Sequence, residues 1–149
     1  MRVSSRLLSV SLLVAALGFG AVHAQTSLVS GLGQQWPNAT DVSSSPHFHV
    51  YVFDRSGTRY IQVNDVNGTV RGAFARTAYA FVGLPMGADA TRLATPDQPL
   101  PAPASTAGET VYDDGRVKVF VAPQADGTMQ LMAVGSDCKN PIECSGKGP

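Results

Sequence analysis

Between positions 47 and 75 the chain reads HFHVYVFDRSGTRYIQVNDVNGTVRGAFA, and its apolar and polar residues alternate with a period of two. Side chains along a strand point to opposite faces in turn, so this pattern predicts half-buried strands. Two turn signals divide it. Ser56-Gly57 and Asn67-Gly68 suit two-residue hairpin loops, because Gly and Asn accept positive φ. A loop at Ser56-Gly57 sets Asp54 opposite Arg59, Phe53 opposite Tyr60, Val52 opposite Ile61 and Val50 opposite Val63. A loop at Asn67-Gly68 sets Asp65 opposite Val70, Asn64 opposite Arg71, Gln62 opposite Ala73 and Ile61 opposite Phe74. Slipping the first pairing by one residue would bring Val50 and Val52 against Gln62 and Tyr60 and mix the two faces, so the hydrophobic pattern selects this parity.

Together the two registers predict one core face, made of Phe48, Val50, Val52, Ile61, Val63, Val70 and Phe74. The other face collects His47, His49, Tyr51, Phe53, Tyr60, Gln62, Asn64, Arg71 and Ala73. Aromatics and Arg flanked by amides are typical of contact surfaces. The candidate binding residues are therefore Tyr51, Phe53, Tyr60, Gln62, Asn64 and Arg71, with Ser56 at the adjoining turn. The alternative is that a Pro-rich loop, the N-terminal lead-in or a second sheet covers this face.

Further along, residues 78–84 (AYAFVGL) predict a fourth strand, and 88–94 allow one helical turn. Residues 109–112, 116–122 and 128–134 predict three more strands joined by turns at Asp113-Asp114-Gly115 and 123–127. Between them, 95–108 carries Pro96, Pro99, Pro101 and Pro103, which favour an extended chain without ladder hydrogen bonds. Its low apolar content reads as a mobile spacer rather than a lid. The expected fold is all-β: one small domain of six or seven short antiparallel strands, forming a curved sheet, a small sandwich or an open barrel.

The ends of the chain add a compartment. Arg2 and Arg6 precede an apolar run from 7 to 22, followed by Val22-His23-Ala24, which predicts a secretory leader cleaved after Ala24. The run is short for a membrane span. Removing 24 of the 149 residues leaves 125, with 9 basic and 11 acidic side chains. So small a net charge, with no basic cluster in the sequence, argues against nucleic acid and anionic membrane as partners. Residues 25–46 form an irregular lead-in in which Leu28, Leu32 and Trp36 have helical spacing, and Trp36 is expected to fold onto the sheet. Cys138 and Cys144 are the only cysteines. Export makes a disulfide the default, pinning a tail over 135–149. Periplasmic or secreted localisation follows.

Candidate chemistry is sparse. The exported part holds His47 and His49 as its near-neutral bases, with no Gly-x-Ser-x-Gly, no His-Glu-x-x-His and no phosphate-binding Gly-rich loop. No cofactor is implied. His47 and His49 point the same way on one strand and are the candidate metal ligands, but two ligands fall short of a site. The reading is a non-enzymatic binding protein of a bacterial cell envelope with a protein partner. A periplasmic metal-binding protein is one alternative. The other rests on Ser56-Gly57-Thr58-Arg59-Tyr60, which resembles the Ser-Gly-x-x-Tyr motif of bacterial periplasmic lysozyme inhibitors, small exported β-proteins. The resemblance spans five residues. It implies that Ser56 and Tyr60 would enter the cleft of a secreted hydrolase.

Overall fold

In a computed structural model the protein is described over residues 31–146. The expected leader, its expected cleavage point after Ala24 and the start of the lead-in lie outside them. Eight strands form two four-stranded sheets: β1 (Phe48–Arg55), β2 (Thr58–Asp65), β3 (Val70–Arg76) and β4 (Phe81–Gly83) in chain order, and β5 (Leu93–Ala94), β6 (Glu109–Asp113), β7 (Val117–Pro123) and β8 (Met129–Gly135) in the order β5-β8-β7-β6. A single 3₁₀ turn, Ala90–Arg92, precedes β5. The fold is the sandwich among the three expected all-β forms, with one strand more than expected.

The extra strand is β5, two residues that pair in parallel with β8. All other named pairings are antiparallel. Nothing in so short a segment could announce itself as a strand, because two residues carry no periodicity.

The β1–β2 pairing has the expected register throughout, including Val50 with Val63 and Asp54 with Arg59. Its turn uses positive φ at both Ser56 (48°) and Gly57 (77°). The β2–β3 pairing matches from Tyr60–Ala75 to Val63–Gly72 and then departs. Asn64 pairs with Val70 rather than Arg71, and Arg71 is the extra residue of a bulge. The cause is the turn. Only Gly68 has positive φ (82°); its N–H donates to the Asp65 carbonyl at 2.9 Å, and the Asp65 N–H donates to Thr69 O at 3.0 Å. The loop thus has three residues, 66–68, with a glycine in the left-handed position. Asp65 Oδ1 holds it by accepting from the N–H groups of Asn67 (2.9 Å) and Thr69 (3.0 Å).

The core lies between the sheets. Phe48, Val50, Ile61, Val63, Phe74 and Phe81 of the first sheet meet Leu93, Val111, Val117, Val119, Val121 and Leu131 of the second. Val52 is partly buried against them, as the alternation predicts, whereas Val70 is half-exposed beside the bulge. Leu93 lies against the backbone of β3 at Gly72, where any Cβ would collide with its side chain. That close approach brings the β5 end of the second sheet onto the first.

The outer faces are covered too. On the second sheet, Ala94, Ala122 and Met132 form a smaller apolar cluster with Leu100, Phe120 and Ile142. Leu100 comes from the Pro-rich loop and Ile142 from α1 (Pro141–Cys144). The loop is anchored rather than free: Gln130 Nε2 donates to Pro101 O at 2.9 Å, and Gln124 exchanges hydrogen bonds with the Ser105 backbone at 3.0 and 3.2 Å. Gln130 on β8 and Gln124 after β7 supply this hold, beside the packing of Leu100. Cys138 and Cys144 form the expected disulfide, and its loop contains α1.

Candidate functional site

The polar-aromatic face of the first sheet is not an open surface. Tyr51, Phe53, Gln62, Asn64 and Ala73 are buried, Tyr60, His49 and Arg71 are half-buried, and of the proposed binding residues only Ser56 is exposed. The lead-in supplies the cover. Gln62 Oε1 accepts from the Gly33 N–H at 2.6 Å, and Gln62 Nε2 donates to Gln34 O at 2.8 Å and to Asn64 Oδ1 at 2.9 Å. Asn64 Nδ2 donates to Gln35 O at 2.6 Å and to Gly68 O at 3.2 Å. Buried amides must be hydrogen-bonded, and here they satisfy a strap of irregular backbone that lacks a ladder of its own. Residues 31–36 are turns and bends, in keeping with an irregular lead-in. Trp36, 57% exposed, packs its ring edge-on against His49 (5.2 Å between centroids) and over Gly68, as expected of a residue folded onto the sheet.

The two histidines are separately engaged. His47 Nδ1 lies 2.9 Å from Glu109 Oε1, and His49 Nδ1 lies 2.7 Å from Asp41 Oδ2. Burial works against the Asp41 charge, but hydrogen bonds from His49 and from the Val50 and Ser43 N–H groups outweigh it and hold this carboxyl below the usual range. Among the described residues, no group of three or more His, Cys, Asp or Glu side chains is placed to hold a metal. No helix among them is long and apolar enough to cross a membrane.

An open groove lies at the Ser56-Gly57 end of the sandwich. The turn lines this groove of about 670 Å³, completed by residues 76–78 at the end of β3 and by Arg116 and Val117 at the start of β7. Beneath it runs a charged network that joins the sheets. Arg59 donates from Nε to Asp54 Oδ1 (2.9 Å) and from Nη2 to Asp54 Oδ2 (3.2 Å), a bidentate fork. Its Nη1 donates to Asp114 Oδ2 at 2.6 Å across the interface. Tyr112 donates its hydroxyl to that same oxygen at 3.1 Å. Burial and the neighbouring Asp114 push the Tyr112 phenol up to about 12. Asp114 itself is held below the ordinary carboxylate range: burial opposes its charge, but donors from Val117, Arg116 and Tyr112 prevail.

The sequence pairs Arg59 with Asp54 but not with Asp114, which lies in the turn between β6 and β7 of the other sheet. Arg55, Arg76 and Arg116 were also missed as a group, since their strand positions are remote in the chain. Tyr79 stands immediately beyond the groove wall and is 97% exposed, a large aromatic left wholly in solvent. Comparison with protein-family models, curated proteins and solved structures gives no match.

Proposed function

We infer that this is an exported, non-enzymatic binding protein of a bacterial envelope, and that it meets a protein partner at the Ser56-Gly57 end of the sandwich. The observation that carries this reading is the exposed Ser56-Gly57 turn lining an open groove that also takes in Thr77 and Ala78, next in the chain to the fully exposed Tyr79. Exposed aromatics and arginines around a concavity are the usual anchors of protein interfaces. The contact region thereby moves from the Tyr51/Phe53 face, which the lead-in occupies, to the loops beside it.

The test is an affinity capture from native envelope extract with wild-type protein and a Ser56→Ala/Tyr79→Ala variant of equal melting temperature. One partner enriched by the first and absent from the second supports the reading. Identical recoveries would remove this end of the molecule from consideration.

A second reading, inhibition of a secreted lysozyme-type hydrolase, draws support from the exposure of Ser56 at the tip of its turn. Tyr60, the other residue of the motif, is half-buried on β2. Addition of the protein at equal molar ratio to lysozyme should then slow lysis, and Ser56→Ala should restore it.

A further inference from the structure

Positive charge is distributed unevenly over this nearly neutral chain. Arg59, Arg71, Arg92 and Lys118 each have a carboxylate within ion-pair distance. Among the described residues, Arg55, Arg76, Arg116 and Lys139 have none, and the three arginines of that group all line the groove beside the Ser56-Gly57 turn. Asp54 is the one carboxylate in the groove wall, and it is already forked to Arg59.

Arg76 makes the case sharper. It sits directly across the ladder from Arg59, and like charges in that position are destabilising. Arg59 is neutralised by Asp54 and Asp114. Arg76 is offered only the Arg116 carbonyl, at 3.1 Å from Nη1, and the Phe81 ring, with its guanidinium carbon 5.3 Å from the centroid. Those contacts orient the guanidinium without supplying a counterion. They leave donors on Arg76 unused, beside two exposed arginines.

We propose that this groove is a carboxylate-binding site for an acidic segment of a partner protein. Guanidinium groups bind carboxylates through parallel pairs of hydrogen bonds, and three without internal counterions accommodate more than one acidic side chain. Phosphate offers the same fork geometry. A protein segment fits better because the groove lining reaches Ala78, next in the chain to the exposed aromatic Tyr79, and includes Ser56, Thr58 and Thr77. The inference rests on the binding-protein reading and supplies the chemistry of its partner.

The probes are short poly-L-glutamate and inorganic polyphosphate, titrated into the purified protein with backbone amide shifts and fluorescence anisotropy as readouts. Poly-L-glutamate should bind at low ionic strength, shift the amides around Ser56 and Arg116, and weaken as salt screens the charges. Arg55→Gln/Arg116→Gln should weaken it roughly tenfold, the scale of losing charge-assisted pairs, while Lys139→Gln leaves it unchanged. Arg55→Lys/Arg116→Lys should recover only part of the loss. Equal binding by the Gln double variant, or polyphosphate binding in place of polyglutamate, would overturn the proposal. If envelope capture finds a partner that depends on Ser56 and Tyr79 while polyglutamate fails to bind, the binding-protein reading stands and the acidic-segment proposal falls. Polyglutamate binding with no such partner would leave a carboxylate-binding groove and overturn its assignment to a partner protein.

Discussion

Arg71 Nη2 lies 2.7 Å from Asp89 Oδ2, and Asp89 is only 2% exposed. The contact is an ion pair off hydrogen-bonding geometry, since neither that oxygen nor Arg71 Nε has a hydrogen-bond partner. The β3 bulge creates it. At the bulge, the Val70 and Arg71 carbonyls accept from the Ala88 (2.9 Å) and Asp89 (2.8 Å) N–H groups, which brings Asp89 under the arginine. Asp89 Oδ1 also accepts from the Met129 N–H at 2.9 Å, so one carboxylate ties β3 to β8. An arginine that the sequence pattern marks for partner binding is thus spent inside the fold.

Removing one member of this pair leaves the other buried without compensation. Asp89→Ala should cost about 3 kcal/mol in urea unfolding. An Arg71→Met/Asp89→Leu double replacement should cost clearly less than the sum of the single ones. Additive losses would show that the two side chains act independently.

The strap over the first sheet has its own reporter, because Trp36 is the only tryptophan. At Gly68 the backbone requires positive φ, and a Cβ would stand 2.5 Å from the Trp36 ring. Gly68→Ala should lower stability by about 1 kcal/mol or more and alter Trp36 emission in the folded state. Asn64→Ala should loosen residues 31–36, seen as faster amide exchange there with the core unaffected. Uniform exchange changes across the molecule would contradict a locally held strap.

Acid should act through Asp114 in the network beneath the groove and through the carboxyl partners of the two histidines. Asp41, Asp114 and Glu109 all have carboxyl groups held below their ordinary values of 3.8, 3.8 and 4.5. A depressed folded-state value gives stability that is present above the unfolded value and lost as pH falls through the folded one. Melting temperature should therefore hold level from neutrality to about pH 5 as far as these groups are concerned, and drop below pH 4. Asp114→Asn should cost about 2 kcal/mol at pH 7, with the gap to wild type closing in acid. A gap that stays constant down to pH 3 would remove Asp114 from the acid response.

The Cys138–Cys144 bridge closes a sequence separation of 6, so chain entropy assigns it about 2 kcal/mol. Its loss should spread further than the tail. Leu100 N–H donates to Ser145 O at 3.2 Å, and Ile142 packs in the outer cluster with Leu100. Cys138→Ser/Cys144→Ser should make the Pro-rich loop a site of limited proteolysis while the inner core still melts cooperatively.

The chain by itself determined the all-β class, the register of β1 with β2 and most of β2 with β3, and the face that forms the core. These follow from a period of two and from turn residues, both local quantities that survive in a linear string. It also carried the disulfide. Tertiary structure alone decided what covers the outer faces. Residues 31–36 and the Pro-rich loop hold their sheets mainly through backbone groups bonded to Gln62, Asn64, Gln124 and Gln130, and a backbone carbonyl leaves no mark in a sequence. The same holds for the groove. Arg55, Arg76 and Arg116 are separated along the chain, and only the stacking of two sheets brings their uncompensated charges to one end of the molecule.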